Sequence, residues 1–249
     1  MSRVKRLVQG LVTGTRWEAP VKRVHHAVTG SRSSLYDAQT IEIMRRVLRP
    51  DSAAIDAGAF VGGMLRHMLR FAPRGRHWAF EPLPDLHRSL ATRFPGVSVL
   101  PFALGAAPGR AEYVRVSRFP ALSGLKRRPD VPPESATETL VVQVETLDRV
   151  IPADQQIALI KVDVEGGELD LFRGAAATLA RSRPVVVFEC GLAARAYGAT
   201  PEAIHDSLTA PGLEVSTLED WLAGRPGFSR DRFAEYFHEG REFYFIAHP

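Results

Sequence analysis

Ala53-Ala54-Ile55-Asp56-Ala57-Gly58-Ala59-Phe60-Val61-Gly62-Gly63 is the stretch on which the reading of this chain turns. A short apolar run ends in Asp56, and glycines follow at 58, 62 and 63. An apolar strand that turns through glycines into a helix lets the backbone approach a ligand closely and aims free N–H groups at it. The pattern predicts a cofactor pocket. A second apolar run, His77-Trp78-Ala79-Phe80, ends in Glu81. That is where an α/β nucleotide site places the carboxylate that binds a ribose diol.

Outward from this stretch, strand-like and helix-like runs alternate. Residues 53 to 57 read as a strand, 62 to 71 as a helix, 76 to 81 as a strand, 84 to 94 as a helix and 97 to 104 as a strand. Upstream, Ile41, Ile43, Met44, Val47 and Leu48 describe an amphipathic helix ended by Pro50. The folded domain is expected to begin near residue 35, leaving 1–34 as a basic N-terminal extension and 35–249 as one domain. The rhythm breaks between Gly105 and Arg149. Glu112 to Val116 and Thr139 to Val144 alternate as strands around a polar stretch rich in Arg and Pro. This predicts an inserted β-structure with a mobile loop between the third and fourth core strands. Alternation resumes with strand 157–164, helix 168–181, strand 184–190, helix 201–209 and strands 213–218 and 242–247. Such alternation indicates an α/β fold with a parallel sheet covered on both faces.

Composition narrows the class. With 45% apolar and 24% charged residues, the chain has the balance of a globular protein, and no apolar run approaches the roughly 18 residues a membrane span needs. Cys190 is the single cysteine, which excludes an internal disulfide and a multi-cysteine zinc site and points to a cytoplasmic location. The basic N-terminus is broken by Gln9, Gly10 and Gly14 and does not read as a signal peptide. Residues 1 to 32 hold seven Lys or Arg against Glu18, so the net charge of +4 resides in that segment. Such a segment is either a solvated helix or a peripheral contact with anionic membrane or a phosphorylated substrate. Nucleic acid is not an expected partner, because no aromatic-and-basic stripe is present.

The ligand follows from what the glycines omit. A dinucleotide fingerprint needs a glycine where this chain has Phe60, and no phosphate loop of the type G-x-x-x-x-G-K-[ST] occurs. S-adenosylmethionine poses a different problem, since it carries a sulfonium, an ammonium and a carboxylate but no phosphate. Asp56 offers a carboxylate to the cationic methionine end, the N–H groups of the turn face its carboxylate, and Glu81 takes the ribose. Each also has a plainer reading, Asp56 as a helix cap and Glu81 as a strand-end carboxylate.

Five linked motifs then carry a resemblance. Asp56-Ala57-Gly58-Ala59-Phe60-Val61-Gly62 is followed by Phe80-Glu81-Pro82, Ala103-Leu104-Gly105 and Glu145-Thr146-Leu147-Asp148. Leu159-Ile160-Lys161-Val162-Asp163-Val164-Glu165-Gly166-Gly167-Glu168 comes next, with Gly174-Ala175. In order and spacing, residues 37 to 191 resemble the FkbM-type methyltransferases. The resemblance implies a Rossmann-like, seven-stranded, mostly parallel sheet and S-adenosylmethionine-dependent methylation, typically of a hydroxyl on a sugar, polyketide or other secondary metabolite. The expected cofactor-binding residues are Asp56, Gly58, Ala59, Phe60, Gly62, Glu81, Pro82, Ala103, Leu104 and Asp163. A small-molecule or glycan hydroxyl acceptor is the expected partner, and a homodimer an open expectation.

In a strand, Lys161, Asp163 and Glu165 point the same way. Charges on a central apolar strand need partners. Asp163 is the first candidate for the base that takes the hydroxyl proton, and Glu165 the second. The alternatives are a buried Lys161–Glu165 ion pair, Glu165 as a cap on the helix near Gly167, or Asp163 touching only the cofactor. A further one is an oxygen site for magnesium or calcium made by Asp163, Glu165 and Glu189. No metal is assigned. Tyr36 and Gln39 either close over the cofactor or, in the case of Tyr36, join the core. The Ala121-to-Arg128 loop is either a solvated turn or a cationic hold for an acidic acceptor.

Overall fold

The computed structural model describes residues 32–117, 120–127, 131 and 135–249. The basic segment, for which a solvated helix and a membrane contact are the two readings, lies outside the described residues apart from residues 32–34. The domain opens with helix α1, Arg32–Val47, which buries Tyr36, Thr40, Ile43 and Met44. The main sheet then takes β1 (Ala54–Ala57), β2 (His77–Phe80) and β3 (Ser98–Leu100), with helices α2 (Gly63–Phe71) and α3 (Pro84–Arg93) between them. Every residue of β1 and β2 is buried. This is why they read as apolar runs with no alternation: both sheet faces are covered.

After β3 the chain leaves the main sheet. Residues 97 to 104 are not one strand, as the sequence suggests, because Pro101 has no N–H to continue the ladder. Phe102–Leu104 (β4) instead pairs with Thr137–Glu145 (β6), which also pairs antiparallel with Gly109–Val116 (β5). The inserted β-structure is therefore a separate three-stranded sheet, in the order β4-β6-β5, and begins at Phe102 rather than at Gly105.

The short helix α4 (Leu147–Val150) leads back to β7 (Leu159–Val162), then α5 (Glu168–Arg173), α6 (Ala176–Ser182) and β8 (Val185–Glu189). The predicted helix 168–181 is broken at Gly174-Ala175. A Cβ at Gly174 would lie 2.0 Å from the carbonyl oxygen of Gly105, so the two glycines let the insertion and the helical layer meet backbone to backbone. Asp148 fastens the same junction by accepting from the N–H groups of Ala177 (2.9 Å) and Thr178 (2.7 Å) at the start of α6. Three of the quoted motifs thus hold the insertion to the domain.

The remainder comprises α7 (Leu192–Ala196), α8 (Pro201–Thr209), β9 (Glu214–Thr217), α9 (Leu218–Leu222), α10 (Arg230–Glu239) and β10 (Tyr244–His248). The strand order is β3-β2-β1-β7-β8-β10-β9, with β10 antiparallel to both neighbours and the other pairs parallel. The expected seven-stranded, mostly parallel sheet is present. Its two faces carry two cores. One joins Ile55, Val162 and Phe188 to Phe172 of α5, Ile204 of α8 and Phe233 of α10. The other joins Ala54, Leu159 and Val187 to Met44 of α1, Leu65 of α2 and Leu90 of α3.

Candidate active site

Strand order reverses direction at β1, whose neighbours β2 and β7 both run parallel to it, so the carboxyl ends of these strands open onto one crevice. A cavity of about 260 Å³ lies there. Its walls come from the β1–α2 turn, the end of β2, the end of β7 and the insertion, through Ala103, Leu104, Tyr113 and the segment around Ser123.

The β1–α2 turn follows from its left-handed residues. Gly58 has φ +79°, and a Cβ there would sit 1.8 Å from the carbonyl oxygen of Asp163, so the turn after β1 rests on the backbone of the turn after β7. Gly62, at φ +75°, lies against Phe94 and Leu90 and is not among the residues that line the cavity. Its role is packing. The N–H groups of the turn also differ from expectation: those of Gly58 and Ala59 donate to the carbonyl of Phe80 (both 3.0 Å). That of Phe60 donates to Glu81 Oε2 (2.9 Å) and that of Gly62 to the carbonyl of Ala59 (2.7 Å). The turn is stapled to the β2 end through the amides of Gly58, Ala59 and Phe60, so these three do not serve a ligand carboxylate.

Glu81 is held at both oxygens. Its Oε1 accepts from the N–H of Leu83 (2.9 Å) as Oε2 does from Phe60, and burial pushes its carboxyl up to about 7 against these two bonds. Each oxygen keeps a lone pair, so the site retains acceptor capacity for a diol.

Asp56 is the opposite case. It is 1% exposed, and neither oxygen makes a hydrogen bond of good geometry. Burial raises its carboxyl above the usual range, while Lys161 Nζ, 4.0 Å away, pulls it down. A buried carboxylate with one ion-pair partner at 4.0 Å keeps acceptor capacity, and one lining a cavity fits a cationic ligand group. The cavity thus suits the methionine end of S-adenosylmethionine at Asp56, and its ribose at Glu81.

Lys161 is buried among acids. Its Nζ donates to Asp163 Oδ2 (2.9 Å), which also accepts from the Tyr244 hydroxyl (2.9 Å). Burial would raise the Asp163 carboxyl, but Lys161, a hydrogen bond with Glu189 and the Tyr244 hydroxyl outweigh it and hold it below the usual range. The strand alternation stops at Val162, and Glu165 sits in a turn at φ +59°. Glu165 therefore lines the cavity from a turn and not from the strand face. The partners of Lys161 are Asp163 and Asp56, not Glu165, and the Gly167 end of α5 has no side-chain cap. Glu168 instead accepts from the N–H of Gly166 (3.0 Å) within that turn. Among the described residues, Asp163, Glu165 and Glu189 bring carboxylate oxygens within 4.8 Å of one another, the donor chemistry of a hard cation, with the ammonium of Lys161 already on Asp163.

Asp56, Gly58, Ala59, Phe60, Glu81, Pro82, Ala103, Leu104, Asp163 and Glu165 all line the one cavity. Tyr36 does not. Its ring stacks on Tyr244 and meets Phe243 edge-on, and its hydroxyl donates to Glu242, which places it in the core. Tyr244 and Tyr113 went unnoticed in the sequence. The first is brought to Asp163 by the antiparallel register that sets it opposite Glu189, the second by the insertion, and no local pattern signals either.

The methyltransferase FkbM domain model matches residues 56–214. This chain belongs to the FkbM methyltransferase domain family. The matched segment is thereby a methyltransferase domain, and the cavity residues suit S-adenosylmethionine. The chain is 27% identical over 231 aligned residues to the AMB antimetabolite synthetase AmbE of Pseudomonas aeruginosa, a match covering 74% of this chain and 11% of that protein. It is similar to a crystal structure of methyltransferase FkbM from Methylobacillus flagellatus, at 16% identity and a TM-score of 0.47, covering 84% of this chain and 50% of that one. A geranyl diphosphate C-methyltransferase from Streptomyces coelicolor is also similar, at 13% identity and a TM-score of 0.45, covering 88% and 80%. The chain thus spans about a tenth of the curated relative and half of the first of these structures. Among the described residues of the FkbM domain, no helix is long and apolar enough to cross a membrane.

Proposed function

We propose that this FkbM domain transfers a methyl group to a hydroxyl of a sugar, polyketide or similar secondary metabolite. One observation carries the reading: the cavity that Asp56 and Glu81 line is also lined by Asp163 and Glu165. When bound, S-adenosylmethionine supplies a methyl carbon made electrophilic by its sulfonium. The chain's part is to hold the partners in line, which is worth on the order of 7 to 11 kcal/mol for well-oriented reactants, and to receive a proton. Asp56 and Glu81 would anchor the ammonium and the ribose diol, with Phe60, Ala103 and Leu104 alongside. Asp163 is the nominated proton acceptor and Glu165 the second choice. The antimetabolite synthetase among its relatives supports a secondary-metabolite acceptor.

A second reading has its own support. Lys161 and Tyr244 make Asp163 a weaker base than a free carboxylate, which suits an amine or carboxylate acceptor that needs little or no help with a proton. Labelled methyl transfer from S-adenosylmethionine to cell extract, followed by hydrolysis of the product, separates the two. An ether survives mild base, an ester does not, and an N-methyl product gains a basic nitrogen. Label in an ester or an amine would overturn the hydroxyl reading. No transfer to any fraction would leave a binding module that has lost catalysis.

A further inference from the structure

Tyr197 follows α7 and lies outside every quoted motif, yet two segments of the cavity wall converge on it. Its hydroxyl accepts the N–H of Lys126 (2.7 Å), and the Lys126 ammonium lies 5.1 Å from the centre of its ring. Its ring edge occupies the space where a Cβ on Gly166 would be, 2.6 Å from that position, and Gly166 has φ +114°. A Cβ on Gly124 would lie 2.9 Å from its hydroxyl and 3.3 Å from the carbonyl oxygen of Glu165. Glycine at 124 and 166 therefore makes room for one aromatic side chain. That ring is wedged between the insertion segment and the turn that follows Asp163.

The two wedged segments are functional walls. Pro120, Ala121, Ser123 and Leu125 line the cavity from the insertion, as do Asp163, Val164 and Glu165 from the β7–α5 turn. The insertion segment is also tied to its own sheet: Gly124 and Val114 exchange backbone hydrogen bonds (2.8 and 3.1 Å), Ser123 Oγ accepts from the N–H of Val116 (3.0 Å), and the Tyr113 hydroxyl donates to the carbonyl of Ser123 (2.9 Å). Those bonds fix the segment to the insertion. The Lys126–Tyr197 bond ties it across to the main domain.

We propose that Tyr197 is a positioning residue for the methyl-transfer site: it pins the 120–127 wall against the acidic turn and so sets how tightly the cavity closes on its cofactor. The proposal rests on the reading of the cavity as the S-adenosylmethionine site. It predicts that removing the hydroxyl alone loosens the wall without disturbing the core, because the ring still fills the space left by Gly166.

The test uses the full chain with S-adenosylhomocysteine as the probe. Release of the probe is followed by stopped flow, and exchange of the Lys126 amide by hydrogen-exchange mass spectrometry. For Tyr197→Phe, loss of one hydrogen bond predicts about a three- to tenfold faster release and a comparably faster Lys126 exchange, with an unchanged melting temperature. Tyr197→Ala, which also empties the wedge, is expected to release the probe faster still. If the native chain binds the probe and Tyr197→Phe releases it at the native rate, the positioning role is overturned while the cofactor reading stands. Faster Lys126 exchange with native release would overturn it too, since the bond would then be structural only. A native chain that fails to bind the probe removes the cofactor reading and this inference with it.

Discussion

The two sides of the cavity are built by different means. On the β1–β2 side, Glu81 and the Gly58–Phe60 turn are locked by backbone hydrogen bonds that span 21 residues or so, and each member sits inside a short motif. At the β7 end and the insertion, Asp163 depends on Tyr244, 81 residues downstream, and the 120–127 wall depends on Tyr197, 71 residues beyond Lys126. Binding a fixed small molecule calls for local precision. The other side, assembled from remote elements, has the freedom to differ between enzymes that share a cofactor, which is where acceptor choice would reside.

The strongest challenge to this division is Asp163→Asn. Turnover should fall by about 10²- to 10⁴-fold if the carboxylate takes a proton, with affinity for S-adenosylhomocysteine changed far less. Calorimetry beside a methyl-transfer assay checks it, and equal losses in both would move Asp163 to the cofactor side. Next comes Gly58→Ala, where a methyl group meets the carbonyl oxygen of Asp163 at a backbone angle that strains any L side chain. A cost of about 1 to 3 kcal/mol in backbone strain alone predicts weaker binding of up to about a hundredfold, together with a lower melting temperature. This variant should damage both sides at once, because the two turns share that contact.

Asp56→Asn sharpens the contrast from the other direction. Lys161 keeps Asp163 at 2.9 Å when its longer pair with Asp56 is lost, so the melting temperature of the free protein should change little, while affinity for S-adenosylhomocysteine falls roughly 10- to 100-fold. Lower stability in the scan would show that the charge serves the fold. The smallest effect concerns pH. Burial raises Glu81 from 4.5 to about 7, so the folded protein keeps a proton that the unfolded chain has released, and this group's contribution to stability falls as pH rises from about 4.5 to about 7. A diol favours the ionised carboxylate, so affinity for S-adenosylhomocysteine should tighten by about tenfold between roughly pH 6 and pH 8. Glu81→Gln should flatten that dependence in calorimetry.

The same division explains what could be read from sequence. The main sheet was legible because its strands are buried on both faces and appear as plain apolar runs ending in Asp56, Glu81 and Asp163. The donor pocket was legible because a positive-φ turn demands glycine at 58. Glu165 was misplaced because period-two alternation was extended past Val162, where a left-handed turn takes over. The amides of Gly58, Ala59 and Phe60 have acceptors on β2 or at its end, and pairing across to another strand leaves no local trace. Gly105, Asp148 and Gly174 stood out as motif residues, although their contacts fasten the insertion to the domain. A motif marks a constrained position without saying whether chemistry or carpentry constrains it.

Strand β10 is last in chain order but lies between β8 and β9, and it brings the Tyr244 hydroxyl to Asp163. Synthesis from the N-terminus lays down the strands carrying Asp56, Glu81 and Lys161 long before that hydroxyl leaves the ribosome. A nascent chain halted after β8 would own a donor pocket whose central acid still lacks its phenol neighbour. Completion of the reactive centre is thereby tied to the insertion of one late strand into the gap between two others.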